Sequence, residues 1–314
     1  VKTAVVAIGG NAILRSGERG TVEEQRRNIR ETARHLADMI GVGYDIVVTH
    51  GNGPQVGAIL LQNEAARDRV PPMPLDVCGA ESQGLIGYLL QQELTGVFRE
   101  RGMPHTAVSL ITQVVVREDD PAFKNPTKFI GPFYTREESK VLSARKGWVM
   151  REDPRGGYRR VVPSPEPVDI VEKEAIKRLV FGDGHHVVIA AGGGGVPVVE
   201  RDGRYVGVEA VVDKDLASSV LATAIGEKFF IILTDVPYVY TGFGTENERE
   251  IGEVSLEEIE DLYEKGEFPP GSMGPKILAA IRFLRQGGES VLITSPEELL
   301  SALDGGGGTW IRRR

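Results

Sequence analysis

The chain has 314 residues, 41% hydrophobic and 26% charged, with a formal net charge of −8. These proportions are those of an ordinary globular protein; the negative balance argues against nucleic acid as a general partner, and no apolar run approaches the ~20 residues that span a bilayer. The single cysteine, Cys78, excludes an intrachain disulfide and reads as a small buried hydrophobe in a reducing compartment, and the N-terminal segment lacks the layout of a secretory signal, so a cytoplasmic protein is expected.

The first predicted element is the apolar run from Ala4 to Ile8, halted by Gly9, Gly10 and Asn11. These residue types tolerate positive φ and let a backbone approach a ligand closely, so the run reads as a buried strand ending in an anion-facing turn. Thr21 and Glu24 then have capping-box spacing. Behind them Ile29, Ala33, Leu36, Ala37 and Ile40 share one helical face, and Gly41 and Gly43 end it. Ile46 to Thr49 is a second buried strand, followed after His50 by Gly51, Asn52 and Gly53 and directly by a helix. Strand, glycine turn and helix repeated in this order predict a parallel sheet, with both turns on the same edge. A helix from Gly79 to Gly96 and a strand from His105 to Val116 follow.

From Val116 to Pro165 the pattern changes to proline, aromatic residues and lysine without period, then to a hairpin with its turn at Pro154 to Gly157. A stretch of this kind between two α/β halves predicts a small protruding subdomain. Beyond it come a helix, the strand His186–Ala191, the glycines Gly192 to Gly195, and a hairpin turning at Asp202-Gly203. A helix after Asp213, the strand from Phe229 ending at Asp235, an acidic helix, the helix carrying Lys276, a strand to Ser295, a helix capped by Ser295 and opened by Pro296, and a last short strand complete the order. Arg312, Arg313 and Arg314 read as a solvated tail. The fold class is therefore α/β, built on an open, mainly parallel central sheet. Residues 1–115 and 166–314 form its halves, and residues 116–165 the insert. Ligands of such sheets bind outside the carboxyl ends of the strands, so the four glycine or aspartate endings should converge on one crevice.

Two lysines stand where a purely structural helix would avoid them. Lys214, and Lys276 after Pro275, fall at predicted helix N-termini, where a cation opposes the macrodipole by ~0.3 to 1 kcal/mol. A bound polyphosphate removes that conflict; the alternative is an exposed, harmless lysine. Asp213 and Asp215 flank Lys214 and either hold it in place or cap the helix. No G-x-x-x-x-G-K-[ST] and no kinase signature set occurs, so phosphate would be held by turn amides and scattered lysines. The pair His185 and His186 lacks the partners of a zinc motif.

Together AIGGNAI, THGNGPQVG, ESQGLIGYLLQQEL, DPAFKNPTKFIGPFY, RRVVPSPEP, AAGGGGVPV, VDKDLAS, ILTDV and GSMGPKILAAIRF resemble carbamate kinase of the amino acid kinase family, in order and over nearly the whole chain. The resemblance implies a dimeric αβα sandwich that reversibly transfers a phosphoryl group from ATP to carbamate with Mg²⁺, giving ADP and carbamoyl phosphate. It implies that Gly9, Gly10 and Asn11 face the transferred group and that Gly51, Asn52 and Gly53 hold carbamate. Lys214 and Lys276 would contact phosphates, Asp213 would orient the lysines, and Lys128 would reach in from the insert. Gly192, Gly193, Gly194, Gly195, Asp235, Tyr240 and Met273 would line the nucleotide pocket. Rival readings are a kinase of the same family acting on an amino-acid carboxylate, and a nucleotide sensor without turnover. The interspersed Arg and Glu residues would suit ion-pair networks in a heat-loving source.

Overall fold

The computed structural model describes residues 2–153, 156–182 and 184–313. Its first part runs β1 (Lys2–Ile8), α1 (Val22–Gly41), β2 (Tyr44–His50), α2 (Gly53–Ala65), α3 (Leu75–Glu100), β3 (Thr106–Ser109) and β4 (Gln113–Val116). Next come β5 (Lys128–Tyr134), α4 (Arg136–Lys146), β6 (Met150–Glu152), β7 (Tyr158–Val162), β8 (Pro167–Ile170), α5 (Lys173–Val180) and β9 (His186–Ile189). The chain continues through β10 (Val196–Arg201), β11 (Arg204–Gly207), α6 (Lys214–Ile225), β12 (Phe229–Leu233), β13 (Val239–Thr241), β14 (Arg249–Ile251) and β15 (Glu253–Ser255). It ends with α7 (Leu256–Glu264), α8 (Met273–Arg285), β16 (Ser290–Thr294), α9 (Leu299–Leu303) and β17 (Thr309–Arg312).

Eight strands form the central sheet in the order β15-β17-β16-β12-β1-β2-β9-β3. Neighbours from β16 to β3 are parallel, while β17 runs antiparallel to β16 and pairs in parallel with β15. Alternation along the strands divides their side chains between two cores. Val5, Ala7, Val47, Phe230 and Ile232 pack with residues of α6, α7 and α8 on one side. Ala4, Val6, Ile8, Val48 and Ile231 pack with α1 and α3 on the other. The expected stripe of α1 is wholly buried there, each large side chain contributing roughly 1.5–3 kcal/mol relative to exposure. Its capping box forms as well, Glu24 N–H donating to Thr21 Oγ1 and Thr21 N–H to the Glu24 carboxylate.

Three sequence expectations are corrected. The strand expected from His105 to Val116 is two strands in two sheets, because Gln83 grips Thr112 on both backbone groups, accepting from its N–H at 2.8 Å and donating to its C=O at 3.1 Å. β4 thus joins β8, β10 and β11 in a second, four-stranded sheet. Strands of residues 167–207 pair with strands of the first half, so both sheets run across residue 166. Ser295 and Pro296 do not open a helix: their carbonyls close a turn through the N–H groups of Glu298 and Leu299, and α9 starts only at Leu299. The terminal arginines are not a loose tail, since Arg312 ends β17 and pairs with Glu253 at 3.1 Å, and Arg313 N–H donates to Glu289 O. Arg314 lies outside the described residues, as do Pro154 and Arg155 in the hairpin turn.

The insert is a three-stranded antiparallel sheet, β5-β7-β6, with α4. Ile130 and Val162 seat it on the body through a small third core with Val56, Ile59, Leu75 and Cys78. That core is also where Cys78 is buried, its thiol pushed up to about 11, chiefly by burial.

Candidate active site

The parallel register brings the carboxyl ends of neighbouring strands level, Ile8 beside His50 and Ala7 beside Ile232. A cleft of about 910 Å³ opens there, walled by Gly9, Gly10, Gly51, Asn52, Gly53, Gly193, Asp213, Lys214, Asp235 and Lys276. Lys128 and Arg159 reach the same cleft from the insert, and Tyr240 and Met273 line it as well. Most residues singled out in the sequence therefore meet in one place.

At its centre is Asp215, whose two carboxylate oxygens each accept from a lysine: Oδ1 from Lys214 Nζ at 2.9 Å and Oδ2 from Lys276 Nζ at 3.0 Å. Burial alone would raise this carboxyl, but the two ammonium groups outweigh it and hold it below the ordinary value of 3.8. Both lysines are themselves largely buried, 19% and 14% exposed at the side chain, so their charges act in a medium that screens them poorly. Asp213, expected to orient the lysines, instead caps α6: its Oδ1 accepts from the N–H groups of Asp215 and Leu216 at 2.9 and 3.1 Å. The sequence pattern placed an acid on each side of Lys214 without saying which one turned inward. Lys214 is the first residue of α6, as expected, whereas Lys276 lies at the fourth position of α8, because that helix already starts at Met273.

The turn after β9 is bent more sharply than four glycines alone indicate. Ala191, Gly193, Gly194 and Gly195 all have positive φ, at 51°, 62°, 84° and 82°. The Ala191 N–H is held by Thr112 Oγ1 at 2.9 Å. A Cβ on Gly192 would fall 2.4 Å from His50 Nε2, and one on Gly194 2.3 Å from Val212 O. These contacts show why bulk is excluded: the turn is packed between β2 and the segment between β11 and α6 that leads to Lys214. Of the four glycines only Gly193 lines the cleft, beside the Asn52 amide, and Gly192, Gly194 and Gly195 are buried behind it. Asn11 is exposed on the short helical turn after Gly9 and is not part of the wall.

Supports behind the glycine turns are polar and internally satisfied. Asn52 Nδ2 donates to Ser82 Oγ of α3 at 2.8 Å, and Thr49 Oγ1 and Ser218 Oγ share a hydrogen bond of 2.6 Å between β2 and α6. His50 donates from Nδ1 to Gly51 O at 2.7 Å. Burial, opposed by that bond and aided by Lys214, brings its pKa down to about 4, so the ring is neutral at pH 7. The opposite pole of the sheet holds His185 and His186, at the start of β9, where His185 meets the His105 ring edge-on at 5.4 Å.

Sequence reasoning missed the apolar wall. Val236, Phe243, Phe268 and Pro269 join Tyr240 and Met273 along the cleft, with Phe243 carried on the loop of the β13-β14 ribbon and tilted against Tyr240 at 5.9 Å. Aromatic residues in an aperiodic loop carry no positional signal, so only the ribbon pairing reveals them. Arg159 was missed for a similar reason: it sits in β7 among Arg and Val, and the fold alone turns it toward the cleft. There it pairs with Asp153 at 3.2 Å and donates to Gly131 O at 3.0 Å.

The arrangement offers clustered backbone N–H groups, two buried ammonium groups on one carboxylate and an adjoining apolar wall, which together suit a small anion next to a nucleotide. Comparison with known proteins agrees. The model of the amino acid kinase family matches residues 2–295. The carbamate kinase of Pyrococcus furiosus is 50% identical over 312 residues, covering 99% of each chain, and that of Halobacterium salinarum is 52% identical, covering 98% of this chain and 97% of its own. The structure of carbamate kinase from Giardia lamblia bound to AMP-PNP superposes with a TM-score of 0.95 at 44% identity, covering 100% of this chain and 99% of that one.

Proposed function

The chain belongs to the amino acid kinase family and has carbamate kinase activity, and from this premise we propose how its residues divide the transfer of a phosphoryl group between ATP and carbamate. The observation that carries the reading is the Lys214–Asp215–Lys276 clamp at the mouth of the glycine turns. Phosphoryl transfer asks for positioning and charge stabilisation more than for covalent steps. Lys214 and Lys276 stabilise charge on the transferred group, and Asp215 holds both ammonium groups at fixed places beforehand. The N–H groups of Gly9 and Gly10 face that group, and those of Gly51 to Gly53 hold carbamate. Carbamate is already an anionic nucleophile, so no general base is required, in keeping with a neutral His50 that is tied to a backbone carbonyl.

The nucleotide base lies along Tyr240, Phe243, Phe268 and Met273, with Asp235 beside it. Lys128 closes over the carbamate side from the insert and excludes water from a labile product. Mg²⁺ brought by the nucleotide would be held mainly by phosphates and water and would neutralise phosphate charge; among the described residues no group of three or more metal-ligating side chains gathers. A second copy of the chain is the partner, and Val77, Leu85 and Tyr88, left exposed along α3, supply an apolar surface for it that light scattering would test. The compartment is the cytoplasm, which accords with a single, buried cysteine. Among the described residues no helix is long and apolar enough to cross a membrane.

The test is ATP formation from ADP, Mg²⁺ and carbamoyl phosphate, run beside acyl phosphates of amino acids. ATP is expected from carbamoyl phosphate alone. Equal turnover of an amino-acid acyl phosphate would instead make this a kinase of a carbon-chain carboxylate, and nucleotide binding without turnover would make it a sensor.

A further inference from the structure

Behind the active cleft lies a second cavity of about 590 Å³, and Ile130 belongs to the walls of both. The strand β5 is the partition. Its first residues, Lys128 and Phe129, line the catalytic side, and Gly131, Pro132 and Tyr134 line the other. Between them Gly131 has φ +73° and the pairing with β7 slips, so the strand bends at the partition.

The second cavity is bordered by charges that are already paired, and two of the pairs join the insert to the body. Lys146, the last residue of α4, meets Glu64 of α2 at 2.5 Å, and Arg160 of β7 meets Glu209 at 2.6 Å. The other Glu209 oxygen accepts from the N–H of Leu75, the first residue of α3, at 2.8 Å. Trp148 lies between the two cations, its ring centre 4.3 Å from Lys146 and 4.6 Å from Arg160. Lys146 and Arg160 are 18% and 15% exposed at the side chain. Burial would raise the Glu64 carboxyl, but Lys146 and Arg67 outweigh it and hold it below its usual range. Among the described residues, Glu64, Arg67, Lys146, Arg160 and Glu209 around this cavity are thus matched to one another.

We propose that this clasp, Glu64 and Glu209 on the body with Lys146, Trp148 and Arg160 on the insert, is the device that sets where Lys128 stands in the active cleft, which makes Glu64 and Glu209 positioning residues for phosphoryl transfer. The inference rests on the role given above to Lys128. The small apolar core around Ile130 and Val162 fixes that the insert sits on α2, but apolar contact is non-directional. Two ion pairs on the far side of the partition fix its tilt, and a tilt about the bend at Gly131 moves Lys128.

The experiment compares wild type, the double variant Glu64→Gln/Glu209→Gln, Lys128→Ala and the triple variant, with carbamoyl phosphate kinetics, ADP affinity and thermal melting on each. Glutamine keeps the shape and still accepts from Leu75 N–H. The double variant should raise KM for carbamoyl phosphate and lower kcat, by about tenfold in kcat/KM, short of the ~100-fold that a misplacement of about 1 Å can cost, with ADP affinity unchanged. In the Lys128→Ala background the same two substitutions should change kcat/KM less than twofold, because no lysine remains to be positioned. If Lys128→Ala is impaired while the double variant matches wild type, or if the losses multiply in the triple variant, the clasp is overturned and the role of Lys128 stands. If Lys128→Ala itself matches wild type, both fail. Should the double variant melt far below wild type, Glu209→Gln alone in a Trp310→Phe background gives a second readout, since the emission of Trp148 should then stop responding to carbamoyl phosphate. An unchanged response there also overturns the clasp.

Discussion

Asp215 shows how one carboxylate can set the chemistry of a cleft that has no nucleophilic side chain at its centre. Its two oxygens are both spent on lysines, so the ammonium groups are held in fixed places, where the proposed reading has charge develop in the transition state. Lys214→Ala and Lys276→Ala are expected to lower kcat about a hundredfold each, the ~3 kcal/mol typical of losing one preorganised donor, with smaller changes in KM; a variant within threefold of wild type in both constants would remove that lysine from the reaction. Asp215→Asn turns a donor toward a cation and leaves two buried charges without an anion, which should cost ~3 to 5 kcal/mol of stability. The neutral residue beneath them gives a separate signature. The His50 pKa falls from 6.5 to about 4 on folding, so the stability that follows from keeping it uncharged is fully present above pH 6.5 and is lost as pH falls toward 4. At 1.36 kcal/mol per unit this is roughly 3 kcal/mol. Urea melts at pH 7 and 4.5 should show that loss in wild type and a smaller one in His50→Gln; equal losses would mean that the ring titrates normally. The clamp shows the same sign in a lower window, since a carboxyl held below 3.8 releases its contribution only beneath that pH.

Among the elements, those set by period and capping were legible and those set by tertiary grip were not. The face of α1 and its capping box could be read from residue spacing, and the hairpin at Asp202-Gly203 forms with positive φ at both turn residues, as an Asp-Gly pair demands. The split between β3 and β4 could not be read, because no glycine, proline or charged residue marks a break between Thr106 and Val116, and the Gln83 clamp on Thr112 makes it. The supposed cap at Ser295 failed for a related reason: Ser-Pro also suits a turn, and nothing local distinguishes the two. The turn after β9 lies between these cases, with its glycines visible and their purpose hidden, since space is denied by His50, Asn52 and Val212 from distant parts of the chain. Gly194→Ala should therefore cost more than the ~1 to 2 kcal/mol of the left-handed conformation alone, because its Cβ would strike Val212 O and displace the segment just before Lys214. Gly226→Ala is the control, with φ +78° and open space around its Cβ. Gly194→Ala should melt lower than Gly226→Ala and lose kcat as well, and equal melting would mean that the turn yields without strain.

At the scale of the molecule, the cleft is assembled by three bodies that meet only on folding: the glycine turns at the strand ends, the helix starts that carry Lys214 and Lys276, and the insert that carries Lys128. Surface ion pairs such as Arg27–Glu18 and Arg101–Asp38 add ~0 to 1 kcal/mol each, so they are not what fixes this assembly. The sequence pattern showed that the first two bodies face one edge, because parallel strands and right-handed crossovers leave no alternative. It could not show the tilt of the third, which depends on contacts between residues as far apart as Glu64 and Lys146. This separation has a thermodynamic consequence. In the proposed division of the cleft, nucleotide binds to the strand ends and to α8, so its linkage to stability should be independent of the insert. A ligand at a hundred times its Kd stabilises by ~2.7 kcal/mol, which for a chain of this length raises Tm by about 4 °C. ADP with Mg²⁺ should give that rise in wild type and the same rise in Lys128→Ala when each is held at a hundred times its own Kd, with those constants equal within twofold by calorimetry. Carbamoyl phosphate should give a smaller rise in Lys128→Ala than in wild type at one fixed concentration. A Lys128→Ala protein that loses ADP affinity would place the insert over the nucleotide, and the division of the cleft proposed above would have to be reversed.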